Sequence, residues 1–202
     1  MKITVNMTDF GKLAALMNKM RPAGRAQLNR VGANAAMARV QRHIHSYARG
    51  KHLTAATLGA PPTGHYEKGA AAITANSTAD RAEVLIPIPG IGRAYHDIVI
   101  TAPTRNGKRY VTIPKHRAAY GQTVEKLRAR GWKIFRPGNK KVLLGYRHKG
   151  DEPVILFTLA EAVRQRRDPR LLPSQQDLGN TFAGAIKTEI NRVLAKASPT
   201  NH

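Results

Sequence analysis

One glycine-rich segment begins like the fingerprint of a dinucleotide-binding site. Pro89-Gly90-Ile91-Gly92 supplies the first two glycines of that pattern. Tyr95 stands where the third small residue belongs, and the following HDIVIT predicts a strand where a phosphate site needs the start of a helix. The segment therefore favours a bent or bulged connection between strands, and the sequence contains no P-loop.

Histidines and carboxylates form no pattern typical of a metal or catalytic site. His43 and His45 lie two residues apart on a predicted helix, so they point to different faces, and we expect both to be solvated. The twelve Asp and Glu residues show no cluster for a divalent metal or an acid/base pair, and there are no cysteines. A spatial Ser-His-Asp triad stays open, although no G-x-S-x-G elbow is present. We expect no enzyme, no cofactor and no metal.

Positive charge is the informative feature. The 202 residues contain 34 Lys and Arg against 12 Asp and Glu, a formal net charge of +22. Residues 102–149 hold 14 of these cations, and Glu125 is their only carboxylate. This density is typical of phosphate neutralisation, and solvation with pairing to an acidic protein is the alternative that composition does not exclude. Trp132 and Phe135 fit either a hairpin core or a platform for base stacking.

The candidate contacts to DNA or to an acidic partner are Arg105, Lys108, Arg109, Lys115, Arg117, Lys126, Arg128, Arg130, Lys133, Lys140 and Lys141. Arg136, Arg147 and Lys149 complete the basic segment.

Two helices and a loop are predicted at the N-terminal end. Thr8 is a candidate N-cap for a first helix that Pro22 ends, and a helix over 23–48 would span about 40 Å, so the helical part covers 8–48. Residues 49–65 lack periodicity and predict an extended loop. Thr63 is a candidate N-cap for a short helix that continues to about residue 74.

The remaining segments predict a sheet core over 82–160 and a C-terminal helix over 175–197. Strands are predicted at 82–88, 98–101, 110–113, 132–135, 142–146 and 153–159, and a basic helix at 120–130. The pair 132–135 and 142–146 reads as a hairpin. Ser174 is the candidate N-cap of the last helix, whose apolar stripe from Leu178 to Leu194 should pack on the sheet.

These elements predict a single α+β domain over 1–202, with a central antiparallel sheet of about four to six strands flanked by N-terminal and C-terminal helices. No apolar run approaches the ~18 residues of a membrane span, and charged residues interrupt the N-terminal segment. We therefore expect a chain that stays in a cytoplasm or leaves it inside an assembly, without contact to a membrane.

Four runs carry a resemblance to a known family. They are IPIPGIGRAYHDIVI, RYVTIPKHRAAYGQTVEKLRARGWKIFRPGNKKVLLG, FTLAEAVRQRRDP and LLPS, followed by the closing helix. In this order they resemble the minor tail or virion morphogenesis proteins of tailed bacteriophages, in particular the tail completion and tail terminator group of the head-to-tail junction. The resemblance covers roughly residues 60–200, and its motifs, such as Thr112-Ile113-Pro114, are structural.

The resemblance implies a small α+β structural subunit that assembles around the tail axis, with no catalytic residues. The expected partners are other tail and neck proteins, namely the tail tube, the connector or stopper and the tape measure, together with further copies of the chain, for which a hexameric ring is one arrangement. Genomic DNA in the lumen is a further expected contact. The expected location is the virion tail or neck, and the host cytoplasm during assembly. The alternative function is non-specific nucleic-acid binding through 102–149.

Overall fold

The computed structural model describes residues 2–4, 11–49, 53–87, 89–102 and 109–197. Thr8 lies outside these residues, as do Arg105 and Lys108. The sequence predicted one domain, whereas the chain packs as two compact units, each with a core of its own. Unit 1 contains Met1–Ala48, Tyr66–Tyr95 and Asp168–His202, and unit 2 contains Arg49–His65 and His96–Arg167.

The described helices are α1 (Gly11–Asn18), α2 (Pro22–Arg49), α3 (Leu53–Thr57), α4 (His65–Ala71), α5 (Pro89–Tyr95), α6 (Val124–Ala129) and α7 (Gln175–Ala197), with 3-10 turns at Arg117–Ala119 and Pro169–Leu171. The strands are β1 (Lys2–Thr4), β2 (Thr74–Ser77), β3 (Ala82–Leu85), β4 (Ile98–Thr101), β5 (Val111–Pro114), β6 (Lys133–Phe135), β7 (Val142–Tyr146), β8 (Val154–Ala160) and β9 (Ala162–Gln165).

The predicted α+β class is confirmed, and the strands lie in three antiparallel sheets rather than in one. Unit 1 holds the sheet β1-β3-β2, and unit 2 holds β4-β9 and the four-stranded sheet β5-β8-β7-β6. At 89–95, α5 replaces the bent or bulged connection between strands that the sequence predicts. Ile91 is fully buried in the core of unit 1, so apolar burial stabilises this short helix despite its two glycines.

Unit 1 is built around the packing of α7 on α2. Ser174 is the N-cap of α7, as predicted, because its Oγ accepts a hydrogen bond from the Asp177 N–H at 3.1 Å. Phe182 is buried directly over Gly32 of α2, where a Cβ atom would come within 2.5 Å of the ring. The predicted apolar stripe is wrong at its C-terminal end, since Val193 and Leu194 are 51% and 61% exposed.

Polar contacts join the C-terminal half of α2 to the 3-10 turn at Pro169–Leu171 and the residue before it. The Tyr47 hydroxyl donates to Asp168 Oδ2 at 2.6 Å, and burial together with this bond raises the pKa of Tyr47. His43 Nε2 lies 2.8 Å from the Arg170 carbonyl oxygen. His43 therefore has a partner within the fold, contrary to the solvated position expected, whereas His45 is exposed.

Two further boundaries differ from the prediction. The expected loop over 49–65 contains α3, whose alanines favour a helix and whose Ala55 is buried. The next helix, α4, begins at His65, so Thr63 lies two residues before it rather than capping it.

Unit 2 places α6 against the four-stranded sheet. Leu127 of α6 is buried with Leu156 and Phe157 of β8. The predicted basic helix starts later than expected, because Gly121 adopts a positive φ of 68° and Thr123 Oγ1 caps α6 by accepting from the Lys126 N–H at 3.2 Å. The predicted hairpin is confirmed as β6 and β7, with Lys133 opposite Tyr146 and Phe135 opposite Leu144.

Candidate nucleic-acid interface

The predicted cations of the described chain are all exposed on unit 2. They are Arg109, Lys115, Arg117, Lys126, Arg128, Arg130, Lys133, Lys140 and Lys141. Arg105 and Lys108 fall in the range that the structure does not describe.

Some of these cations have structural partners. Lys141 Nζ lies 2.8 Å from Glu161 Oε1, and this contact raises the pKa of Lys141 and lowers the pKa of Glu161. Arg128 Nη2 donates to the Ile134 carbonyl oxygen at 3.3 Å. Arg136, from the same segment, donates to two carbonyl oxygens of the hairpin turn and lies 5.1 Å from the centre of the Tyr110 ring. These groups help to hold the hairpin and are less available to a ligand.

Three other arginines line one cleft of about 740 Å³, which we name the cationic cleft. Arg117 belongs to the 3-10 turn after β5, Arg130 is the C-cap of α6, and Arg147 directly follows β7. None of the three guanidinium groups forms an ion pair or hydrogen bond with another described residue. Among the lining residues the only carboxylate is that of Asp151, and its Oδ2 accepts from the His148 N–H at 2.8 Å.

An imidazole and an indole lie among these arginines. His116 Nδ1 accepts from the Ala118 N–H at 3.2 Å, so the neutral ring carries its hydrogen on Nε2 and can donate from there. The His116 and Trp132 rings meet edge to face with centroids 6.0 Å apart. The cleft thus combines donors for an anion with an aromatic surface.

A second cleft of about 650 Å³, the aromatic cleft, lies on the hairpin. Because side chains alternate along a strand, Lys133 and Phe135 of β6 share the outer face while Ile134 packs against the core. Phe135 is 41% exposed, and its ring meets Tyr146 edge to face at 6.4 Å. Trp132 lines both clefts.

Sequence reasoning singled out Arg117, Arg130 and Lys133 and left Arg147 outside its candidate contacts. The missing signal was the hairpin register, since Lys133 pairs with Tyr146 and Arg147 is the next residue. The sequence left Trp132 and Phe135 open between a hairpin core and a platform for base stacking, and the two residues differ in burial. Trp132 packs partly against the core, while Phe135 is exposed.

Within the described residues, no group of three or more His, Asp and Glu side chains could hold a metal ion. The helices described also include none that is long and apolar enough to cross a membrane. Comparison of the chain with protein-family models, with curated proteins and with solved structures finds no match.

Proposed function

We propose that this chain is a structural protein of the bacteriophage virion that completes or terminates the tail and mediates head-to-tail joining, as a multimer around the tail axis. The sequence resemblance suggests this role, and the α+β class agrees with it. The observation that carries the proposal is the exposed positive charge of unit 2, most of which has no ion-pair partner among the described residues. Such a surface suits either a lumen crossed by DNA or an acidic face of a neighbouring tail protein.

The positive charge of the chain also explains why the proposed role requires partners. Exposed cations held on one small unit repel one another, and this repulsion destabilises the compact state unless an anion offsets it. Counterions condensed on DNA are released when Lys and Arg replace them, which gives binding without sequence preference. The expected neighbours are the tail tube, the connector or stopper and the tape measure, with genomic DNA in the lumen. Because +22 subunits repel in dilute solution at low salt, a ring is expected to form on the tail.

Deletion of the gene in the virus that encodes the chain tests this role. We expect filled heads and separate or unstable tails, with joining restored by the wild-type gene supplied in trans. Electron microscopy of intact particles should then locate the subunit at the top of the tail. Normal infectious particles from the deletion would refute the proposal.

A second candidate function is non-specific nucleic-acid binding by unit 2. The cationic cleft favours it, because three arginines that have no ion-pair or hydrogen-bond partner among the described residues share one concave surface. For the isolated chain, we expect the logarithm of the affinity for DNA to fall linearly with the logarithm of the salt concentration. The test variant replaces Arg117, Arg130 and Arg147 by Gln. Its matched control replaces three exposed cations of unit 1, Arg21, Arg42 and Lys196, by Gln. Equal affinities of the two variants would reject this mapping.

A further inference from the structure

We propose that the cationic and aromatic clefts together form a track for single-stranded nucleic acid, with bases stacking on Phe135 and Trp132 and phosphates binding to the flanking cations. This inference rests on the second candidate function and specifies its ligand. Trp132 is the structural basis of the track, because it is the residue that the linings of the two clefts share.

The cations lie on both sides of that junction. Arg117, Arg130 and Arg147 line the cationic cleft, and Lys133 lines the aromatic cleft beside Arg128, which donates to the Ile134 carbonyl oxygen. A polyanion that crosses Trp132 therefore meets positive charge before and after the indole. Guanidinium groups bind phosphate oxygens through two parallel N–H donors, which positions the backbone as well as attracting it.

The exposed ring of Phe135 and the partly buried ring of Trp132 favour a single strand over a duplex. In a duplex the bases stack on each other, and a side chain on a protein surface reaches mainly phosphates and groove edges. In a single strand every base offers a free π-face, and stacking on an aromatic side chain adds affinity with little sequence preference. Phosphate contact alone would not need the half-exposed ring of Phe135, whose apolar surface is costly to leave in water.

Of the two ligands that the positive charge of unit 2 suits, the exposed ring of Phe135 favours nucleic acid over an acidic protein. Carboxylates would satisfy the arginines, but an acidic segment offers no stacking partner for Phe135 and Trp132. The apolar row also continues across the sheet, because Leu144 pairs with Phe135 on β6 and with Ile155 on β8, and Ile155 is 49% exposed. A nucleic-acid base can lie on such a row with its edge in water, as an amphipathic ring does.

The chain carries its own probe, since Trp132 is its only tryptophan. We would add an oligodeoxythymidylate of about 12 nucleotides, within the roughly 4–16 nucleotides that single-strand-binding domains cover, to the full-length chain at low salt. We expect saturable quenching of the Trp132 emission by the single strand, and weaker binding with little quenching by a duplex of equal length. Anisotropy of labelled oligonucleotides gives the affinities independently, and an oligoribonucleotide of the same length tests whether the sugar matters.

Variants separate stacking from charge. Phe135→Leu keeps the charge and removes an exposed ring, so we expect a roughly 5- to 100-fold loss of affinity for the single strand and little change for the duplex. The triple variant of Arg117, Arg130 and Arg147 to Gln should reduce the salt slope for the single strand by about 2. The control variant of Arg21, Arg42 and Lys196 should match the wild type in the stacking readouts.

Each outcome decides the proposal. Preference for the single strand, quenching and selective loss with Phe135→Leu support it. Equal binding of single strand and duplex with unchanged emission refutes the track and leaves general nucleic-acid binding intact. Binding to neither nucleic acid refutes both. Binding to poly-glutamate alone refutes both as well and assigns the clefts to an acidic protein.

Discussion

The close approach of α2 and α7 at Gly32 gives a sharp test of unit 1. A Cβ atom at Gly32 would lie 2.5 Å, 2.6 Å and 2.8 Å from three carbons of the Phe182 ring, well inside ordinary van der Waals contact, which begins near 3.4 Å. Phe182 is buried among core side chains, so its ring has no open space to enter. In Gly32→Ala the two helices must therefore separate by about 1 Å or the ring must leave its rotamer.

The magnitude follows from two opposing effects. Overpacking of this kind costs about 1–3 kcal/mol, whereas alanine is favoured over glycine in a helix by about 1 kcal/mol. Gly184→Ala on α7 is the matched control, because a Cβ atom there meets nothing within 4 Å and only the propensity gain remains. We expect Gly184→Ala to stabilise the chain and Gly32→Ala to be less stable than this control by about 1–3 kcal/mol.

Urea unfolding followed by far-ultraviolet circular dichroism measures this difference, since α2 and α7 supply most of the helix. Tryptophan fluorescence is unsuitable, because Trp132 belongs to unit 2. Combining Gly32→Ala with Phe182→Leu should cost less than the sum of the single changes, because the smaller side chain relieves the clash. If Gly32→Ala were as stable as Gly184→Ala, the packing of α7 on α2 described above would be incorrect.

Three further predictions concern the exposed end of α7, the N-cap of α6 and the ion pair between Asp97 and Arg164. Val193→Gln and Leu194→Gln should each change the free energy of unfolding by no more than about 0.5 kcal/mol in urea titrations, because both side chains are exposed; a loss of several kcal/mol would place them in a core. Thr123→Ala should destabilise unit 2 by about 1 kcal/mol through loss of the α6 cap, measured by Trp132 fluorescence during unfolding, with Thr123→Ser as the control that retains it. The Arg164 hydrogen bond lowers the pKa of Asp97, so the folded-state pKa lies below its unfolded value near 3.9. Their pairing thus stabilises the fold above that pH and is lost as the pH falls through the folded-state pKa; Arg164→Met should flatten the acid-side loss of stability, and identical pH profiles would contradict this.

Local signals explain what the sequence predicts well. The hairpin of β6 and β7 has Pro137-Gly138 in its turn, and Gly138 adopts the positive φ of 53° that glycine allows at least cost. Ser174 predicts the start of α7 because a hydroxyl before an amphipathic stripe can accept from a free N–H of the first turn. In both cases the deciding interaction lies within a few residues of its signal.

Tertiary contacts explain what the sequence does not predict. The glycines of α5 disfavour a helix, and the burial of Ile91 outweighs them. Strand β9 has the unremarkable sequence AVRQ, and its pairing with β4 is supported by two hydrogen bonds from Arg164 to Asp97, 67 residues away. The end of the α7 stripe at Ile190 depends on where the core ends.

The candidate site, too, is only partly predictable from the sequence. Composition predicts that 102–149 is cationic, but it does not tell which cations share a surface. Arg117, Arg130 and Arg147 come from three different elements, and only the fold brings them to one cleft. Lys141 has the same charge and a similar exposure, yet its pairing with Glu161 removes it from the set available to a ligand.

Three of the carboxylates of unit 2 have partners within the fold, which bears on how the cationic cleft can attract an external anion. Asp97 and Glu161 are paired with Arg164 and Lys141 at 2.7 Å and 2.8 Å, and Asp151 accepts from a backbone N–H. Asp97 and Glu161 thus have cationic partners of their own, and Asp151 is the one carboxylate among the residues that line the cleft beside its three arginines. Because the cleft is open to water, salt screens that attraction over about 8–10 Å. We therefore expect ionic strength to govern how strongly unit 2 binds the proposed nucleic-acid ligand.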